Sequence, residues 1–222
     1  MQNNQQIAGA IIIAGLIIGG AVLLKGNNSV SGTKPEDAVE KIQPVDKTEH
    51  ILGNPNAKVM IVEYSDTECP YCKMFHATMH EVIKQREGKV AWVYRHYPIT
   101  QLHQKAFREA EATECAWEQG GNDAFWKYVD EIYVRTQSND TLDVKELPKI
   151  AEFVGLDVAA FNTCLESGKY TEKVQNHFDS GFEAGVRGTP RSVILKNGKV
   201  VYTINGAQYL ETVLEQVDKA LK

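Results

Sequence analysis

The residues with the clearest chemical potential are Cys69-Pro70-Tyr71-Cys72, which follow an apolar run. Two cysteines separated by two residues can close and reopen a small disulfide ring, so this spacing indicates redox chemistry. The alternatives are a structural disulfide or half of a zinc site. Zinc requires further closely spaced ligands, whereas Cys115 and Cys164 stand far apart in the sequence. We therefore predict a redox-active disulfide, with no metal and no separate cofactor.

The elements around this motif predict different roles for its two sulfurs. The run from Val59 to Tyr64 is typical of a strand that is covered on both faces, and Pro70 suits the first position of a helix. Cys69 is then the N-cap, where unpaired backbone N–H groups lower the pKa of a thiol below about 8.5. Cys72 falls on the apolar face of the helix. We expect Cys69 to attack substrates and Cys72 to resolve the mixed disulfide.

The composition is that of an ordinary globular protein. The 222 residues are 43% hydrophobic and 24% charged, which allows one domain with an appendage. The net charge is −5 and no basic run is present, so a nucleic acid partner is not expected. Four cysteines are too few for a disulfide scaffold, but suffice for a catalytic pair and one further bond.

The N-terminal segment predicts a membrane anchor. Residues 7–24 are all apolar or glycine, and 18 residues of helix span roughly 27 Å, close to the thickness of a bilayer core. A cleaved signal peptide is the alternative, but no basic residue precedes the run and no A-x-A site closes it. The nearest basic residues all follow the run; they are Lys25, Lys34 and Lys41. By the positive-inside rule these lysines favour a cytoplasmic domain, so the orientation of the anchor stays open.

The domain organisation follows from changes in composition. Residues 1–24 form the anchor, and residues 25–48 are polar, interrupted by glycine and proline, and predict a flexible linker. Residues 49–222 form the globular domain, with helical patterns over about 101–186. The order strand, helix, strand, helical block, hairpin and helix predicts an α/β thioredoxin-like fold with an inserted helical subdomain. The hairpin is indicated by Asn197-Gly198.

Two separated segments carry a resemblance to a known family. Residues 62–72, with the sequence VEYSDTECPYC, and residues 185–190, with the sequence GVRGTP, resemble the DsbA-like thiol-disulfide oxidoreductases. The similarity runs from about residue 50 to the C-terminus. It rests on the matching order of the motif, the insertion and the Thr-Pro pair.

The resemblance implies a set of site residues. Pro190 corresponds to a cis-proline beside the active disulfide, and Thr189 to a residue that offers its backbone to an extended substrate. Pro70 and Tyr71 would also contact the substrate; the main oxidase of the family has histidine where Tyr71 stands, which leaves the redox potential open. Glu63 corresponds to a glutamate that manages the proton of the buried cysteine, although an exposed glutamate at the end of a strand is an equal alternative.

The resemblance also implies a structural bond away from the motif. Cys115 and Cys164 lie on two helices of the insertion, where family members often carry a disulfide; two free thiols or a second redox couple are the alternatives. We interpret His96 and His103 as structural residues, although His103 would also suit a helix cap or the substrate groove.

The function implied is that of a membrane-tethered oxidoreductase outside the cytoplasm. It would donate the Cys69–Cys72 disulfide to unfolded or newly translocated proteins, and a quinone-linked membrane oxidase of the DsbB or vitamin K epoxide reductase type would reoxidise it. A reductase or isomerase of the same fold is one alternative, although an isomerase usually needs a dimer. A redox-inactive module that binds peptides, as chaperones do, is the other.

Overall fold

The computed structural model describes residue 39 and residues 42–222. The predicted membrane span at residues 7–24 lies outside these residues. Within the described part of the chain, no helix has both the length and the apolarity needed to cross a bilayer.

A five-stranded sheet forms the centre of the described chain, with strands in the order β1-β3-β2-β4-β5. β2 and β3 are parallel, as expected for two strands joined by a helix, and the other pairs are antiparallel. The strands are β1 (His50–Gly53), β2 (Val59–Ser65), β3 (Val90–His96), β4 (Arg191–Lys196) and β5 (Lys199–Asn205).

Helices cover the sheet and form the insertion between β3 and β4. The helices are α1 (Pro70–Gln85), α2 (Ala106–Arg135), α3 (Leu147–Phe153), α4 (Val158–Ser167), α5 (Thr171–Glu183) and α6 (Leu210–Leu221), and a short 3₁₀ turn at Val144–Glu146 precedes α3. The predicted thioredoxin-like fold with a helical insertion is confirmed.

The two faces of the sheet bury different sets of side chains. Val59 and Ile61 of β2 pack on one face with residues of α1 and α6, while Val62 and Tyr64 pack on the opposite face. Contact on the second face is close at α5: a Cβ added to Gly181 would lie 2.8 Å from the ring of Tyr64. Because side chains alternate along a strand, Glu63 lies on the same face as Ile61, toward α1.

The insertion has a hydrophobic core of its own, formed by α2, α3 and α4. A break at Gly120 and Gly121, where Gly121 has a φ of 63°, divides α2 into two helical segments. Cys115 of α2 and Cys164 of α4 are joined by a disulfide, with their Cα atoms 5.8 Å apart.

The structure differs from the sequence prediction in one strand. β1 was not predicted, because its four residues carry too short a pattern to be recognised. It pairs with β3, and the ring of His50 stacks on Phe125 with 3.7 Å between ring centroids.

The predicted linker ends earlier than residue 48. Val39 is buried, and Arg95 donates hydrogen bonds to the carbonyl oxygens of Gln43 and Pro44 as well as to Glu49. A buried guanidinium needs acceptors for its N–H groups, and this segment supplies them. Residues 42–48 are therefore held against the domain by these hydrogen bonds and by the partly buried side chains of Ile42 and Val45.

Candidate active site

The two cysteines of the motif lie at the start of α1, directly after β2. Cys69 is the N-cap residue, with extended backbone angles, and Pro70 is the first helical residue. Cys69 retains 5% of its surface exposed, whereas Cys72 is fully buried among core residues. The backbone N–H of Asp66 lies 3.4 Å from the Cys72 sulfur. Cys69 therefore lies just below the surface at the start of the helix, whereas Cys72 is held inside the protein.

The surroundings move the pKa values of the two thiols in opposite directions. A hydrogen bond from the Cys72 thiol lowers the pKa of Cys69 to about 6, with the Thr189 side chain and the backbone N–H groups of Cys72 and Tyr71 adding to this against the cost of burial. Burial raises the pKa of Cys72 well above its usual value, and the neighbouring Cys69 and Glu63 raise it further. At neutral pH the outer sulfur is a thiolate and the inner one a thiol.

A loop before β4 lies against the outer sulfur. The Thr189–Pro190 peptide bond is cis, and the Cys69 sulfur lies 3.5 Å from the Thr189 carbonyl oxygen, to which it donates when it is protonated. Thr189 and Pro190 therefore lie beside Cys69, although 120 residues separate them in the sequence. Pro70 is half-buried at the helix start, and Tyr71 is 60% exposed.

Glu63 is fully buried on the sheet face that α1 covers. Neither carboxyl oxygen has a hydrogen-bond partner in the structure. Burial raises the pKa of Glu63 to about 8, with a further contribution from Cys69, and the nearby Ser65 and Trp92 oppose the shift. The exposed alternative is therefore wrong, and at pH 7 this site holds a protonated carboxyl group near Cys72.

Residues that the sequence interpretation missed hold the segment between β2 and Cys69 in place. Asp66 accepts hydrogen bonds from the backbone N–H groups of Glu68 and Ile99 and pairs with His103 at 2.9 Å. Glu68, fully buried, accepts from Thr136 at 2.9 Å. Both residues stand in a polar stretch that reads as an ordinary loop, so only their closeness to Cys69 marks them.

A further buried carboxyl group contacts this segment. Glu109 of α2 accepts a hydrogen bond from the Thr67 hydroxyl at 2.6 Å. Burial raises its pKa to about 8, and the carboxylates of Glu68 and Asp66 raise it further. The sequence offers no signal for this residue, because α2 alternates charged and apolar positions over its whole first segment.

The remaining histidines of the sequence interpretation have structural partners. His103 forms a hydrogen bond with Asp66, and this hydrogen bond raises the pKa of the imidazole. His96 lies 3.0 Å from Glu114, a carboxylate that also contacts His50 at 2.7 Å. Neither histidine contacts the Cys69 sulfur by a hydrogen bond in the structure.

The fold and the paired sulfurs define a thioredoxin-fold thiol-disulfide oxidoreductase, and comparison with known proteins agrees. A family model described as thioredoxin matches residues 45–219. DsbA2 of Pseudomonas aeruginosa shares 29% identity with a TM-score of 0.64, covering 77% of this chain and 93% of that one. The chain belongs to the thioredoxin family, and within it to the DsbA-like oxidoreductases.

Other similar proteins differ in length. BdbD of Bacillus subtilis shares the fold at 22% identity, with a TM-score of 0.70 over 83% of this chain and 98% of that one. Among curated relatives, the Na(+)/H(+) antiporter NhaA 3 of Salinispora tropica is 33% identical over 156 residues, which are 70% of this chain and 23% of the antiporter. The corresponding NhaA 1 of Mycolicibacterium gilvum is 29% identical over 161 residues, 71% of this chain and 25% of that protein. The chain thus spans about a quarter of the length of these relatives.

Proposed function

We propose that this protein is a membrane-tethered oxidase of protein thiols that works outside the cytoplasm. It donates the Cys69–Cys72 disulfide to unfolded or newly translocated client proteins. The observation that carries this proposal is the placement of the two sulfurs: Cys69 is the N-cap of α1 beside the Thr189 carbonyl oxygen, and Cys72 is fully buried. These surroundings shift the two thiol pKa values in opposite directions, to about 6 for Cys69 and well above the usual value for Cys72. A stable thiolate at Cys69 favours the reduced form of the pair, so the disulfide tends to oxidise other thiols.

The first chemical step is attack of a client thiolate on the Cys69 sulfur. A client–Cys69 disulfide forms, the Cys69–Cys72 bond breaks, and Cys72 leaves as a thiolate that takes up a proton. Glu63 is suited to supply this proton, because its buried carboxyl group is protonated at neutral pH. Once the proton has moved, the carboxylate that remains raises the pKa of Cys72 and so favours the protonated sulfur.

The second step releases the oxidised client. A second client thiolate attacks the client sulfur of the mixed disulfide, so that a client disulfide forms and Cys69 leaves as its stabilised thiolate. The cis-proline loop presents backbone at Thr189 beside Cys69, where an extended client segment can pair with it. Two electrons then remain on the protein, and a quinone-linked membrane oxidase of the DsbB or vitamin K epoxide reductase type is the proposed acceptor.

Two features support a position outside the cytoplasm. The apolar residues 7–24 suit a membrane anchor, and the bond between Cys115 and Cys164 belongs to a compartment in which disulfides persist. A reductase or isomerase of the same fold would use the same residues, and the direction of electron flow separates these activities.

The test is a single-turnover reaction of the oxidised protein with a reduced, unfolded model client that contains two cysteines. We expect one client disulfide per oxidised protein, no client disulfide with Cys69→Ser, and accumulated mixed disulfide when reduced Cys72→Ser is mixed with a disulfide-bonded client. Transfer of electrons only from the protein to disulfide-bonded clients would assign it as a reductase. Full biological complementation by Cys69→Ser would assign it as a redox-inactive peptide-binding module.

A further inference from the structure

A second group of chemically active side chains lies further along the active-site helix. His76 and His80 stand four residues apart on α1, and both point toward Asp130 of α2. The three side chains open onto a pocket of about 610 Å³. The mechanism proposed above uses none of them. The other residues that line the pocket are Lys73, Ala77, Tyr133 and Val134.

Three potential ligand atoms converge at this place. The Nε2 atoms of His76 and His80 lie 2.6 Å and 2.9 Å from Oδ1 of Asp130, and 3.1 Å from each other. A tetrahedral zinc ion, with bonds of roughly 2.0–2.1 Å, separates its ligand atoms by about 3.3 Å. A small outward movement of the half-exposed Asp130 and His80 side chains would make room for the ion.

Hydrogen bonds alone satisfy this arrangement poorly. If both imidazoles donate from Nε2 to the Asp130 oxygen, two N–H groups face each other across 3.1 Å. If one of the two rings carries its proton on Nδ1 instead, the lone pair of its Nε2 atom faces the Asp130 carboxylate with no proton between the two atoms. A cation at the centre removes this conflict, because all three atoms then offer lone pairs to it.

We propose that His76, His80 and Asp130 bind a divalent ion of the zinc type, with a fourth coordination position open to the pocket. Two imidazoles and one carboxylate favour Zn²⁺ over the hard cations Mg²⁺ and Ca²⁺, which prefer oxygen ligands. Three protein ligands with one open position is a common arrangement for zinc. The ion joins α1, which carries the active cysteines, to α2 of the insertion.

The surrounding core holds the first ligand in position. The His76 ring is 6% exposed and lies 5.1 Å from the ring of Trp92 and 4.6 Å from that of Tyr133. These aromatic contacts restrict the plane of the imidazole, whose Nε2 lies 2.6 Å from Oδ1 of Asp130. Such preorganisation lowers the cost of binding an ion.

A second triad shows what an occupied cation position looks like in this protein. His50, His96 and Glu114 also converge, but the Lys173 ammonium lies 2.7 Å from Glu114 and 3.3 Å from His50 Nε2. A protein cation thus already neutralises the carboxylate of that triad, and the three side chains are buried. At the His76 triad, the nearest basic residue lining the pocket is Lys73, whose ammonium is bound to the Thr136 carbonyl oxygen at 2.5 Å.

The test is titration of the full-length protein with Zn²⁺ by calorimetry, with Cys69 and Cys72 oxidised so that their thiols do not compete. We expect one ion per chain and much weaker binding of Mg²⁺ and Ca²⁺. His80→Ala and Asp130→Asn should each weaken Zn²⁺ binding by more than about 100-fold, since loss of a direct ligand exceeds the effect of losing an outer-shell partner. Glu81→Gln, on the same helix but outside the triad, is the matched control and should bind as the unaltered protein does.

A thermal melt with and without Zn²⁺ gives an independent readout, because an ion that binds only the folded state raises the midpoint. The rise should occur in the unaltered protein and in Glu81→Gln, and be absent in His80→Ala and Asp130→Asn. Both substituted side chains are roughly 40% exposed, so these variants should fold. Failure of the oxidised protein to bind Zn²⁺, equal binding by both variants, or equal affinity for Mg²⁺ would each overturn the proposal.

Discussion

At the scale of single residues, the chemistry depends on one thiol made acidic and one kept protonated. Cys69 owes its lowered pKa first to the hydrogen bond from the Cys72 thiol, then to the Thr189 side chain and helix N–H groups. Cys72 owes its raised pKa first to burial. The two sulfurs therefore differ in reactivity although they are only three residues apart.

This difference predicts the pH profile of alkylation. In the reduced protein, iodoacetamide should label Cys69 with a midpoint near pH 6 and leave Cys72 unlabelled up to pH 8. Cys72→Ala removes the first cause of the lowered pKa and should move the midpoint upward, whereas Cys72→Ser retains a donor and should move it less. Mass spectrometry of the labelled peptides measures both positions. Faster labelling of Cys72 at pH 6 would reverse the assignment of roles.

Glu63 predicts a dependence of stability on pH. Its pKa is raised from 4.5 to about 8, so the folded state holds a proton that the unfolded state has lost in this interval. The contribution of this proton to the stability of the folded state is fully present below about pH 4.5 and disappears as the pH rises through 8. Glu63→Gln is neutral at every pH, so its melting temperature should rise relative to the unaltered protein between pH 5 and pH 9.

Melting curves of both proteins at matched pH values, with the active-site pair oxidised in each, measure this difference. A constant difference over the whole range would mean that Glu63 titrates normally. The same variant should slow the proton-linked release of Cys72 from the oxidised protein. Ser65→Ala removes a group that opposes the shift of the Glu63 pKa, so this variant should keep the pH dependence and move its upper limit to higher pH.

At the scale of elements, a buried ion pair fixes the segment before β1 to the sheet. Arg95 and Glu49 are 2% and 7% exposed in their side chains. Arg95→Met leaves the Glu49 charge buried without a partner and should cost about 3–5 kcal/mol in the free energy of unfolding. Arg86→Met breaks the more exposed pair with Asp218 and should cost only about 0–1 kcal/mol.

Urea unfolding monitored by circular dichroism compares these two variants. The double variant Arg95→Met with Glu49→Gln removes both charges and should recover part of the loss. Equal small effects of Arg95→Met and Arg86→Met would show that the segment adds nothing to the stability of the domain.

Loss of the disulfide between Cys115 and Cys164 should lower the stability of the protein much more than its activity. The cysteines are 49 residues apart, so on the chain-entropy estimate the bond stabilises the fold by about 4 kcal/mol. Replacing both by alanine should lower stability by an amount of this order and leave single-turnover oxidation nearly unchanged. Non-reducing peptide mapping of the natural protein should find the two cysteines linked, and free thiols at both positions would contradict this.

The elements that the sequence predicts well carry their signal locally. The apolar run of β2, Pro70 at the start of α1 and Asn197-Gly198 between β4 and β5 each determine their own structure. β1 has no such signal, because its stability comes from pairing with β3 and from the stacking of His50 on Phe125.

The residues of the active site also fall into two groups, those that the sequence identifies and those that only the fold reveals. Spacing identifies Cys69 and Cys72, and the resemblance identifies Pro190, whose loop the fold brings to Cys69. Asp66 and Glu109 cannot be recognised, because their roles depend on burial beside residues that are distant in the sequence. The carboxyl group of Glu63 could be named, but whether it was buried could not be decided before the fold was known.

At the scale of the whole molecule, two expectations depend on each other: the side of the membrane on which the domain lies, and the direction in which electrons pass between the domain and its clients. A thiolate with a pKa of about 6 stabilises the reduced form of the pair, which supports the proposed role of the disulfide as an oxidant. In a reducing cytosol, glutathione and thioredoxin would keep it reduced, so it can work only where disulfides persist. The lysines after residue 24 favour a cytoplasmic domain, but long domains are translocated largely regardless of charge.

We therefore expect the domain outside the cytoplasm, with a reduction potential clearly above the roughly −270 mV of thioredoxin. Equilibration with glutathione buffers measures the potential, and Cys72→Ala, which cannot form the disulfide, is the control. Protease added to intact spheroplasts should digest the domain while a cytoplasmic marker protein survives. Protection of the domain in intact spheroplasts, together with a potential at or below that of thioredoxin, would instead identify a cytosolic reductase, because a dithiol of that potential gives up its electrons readily.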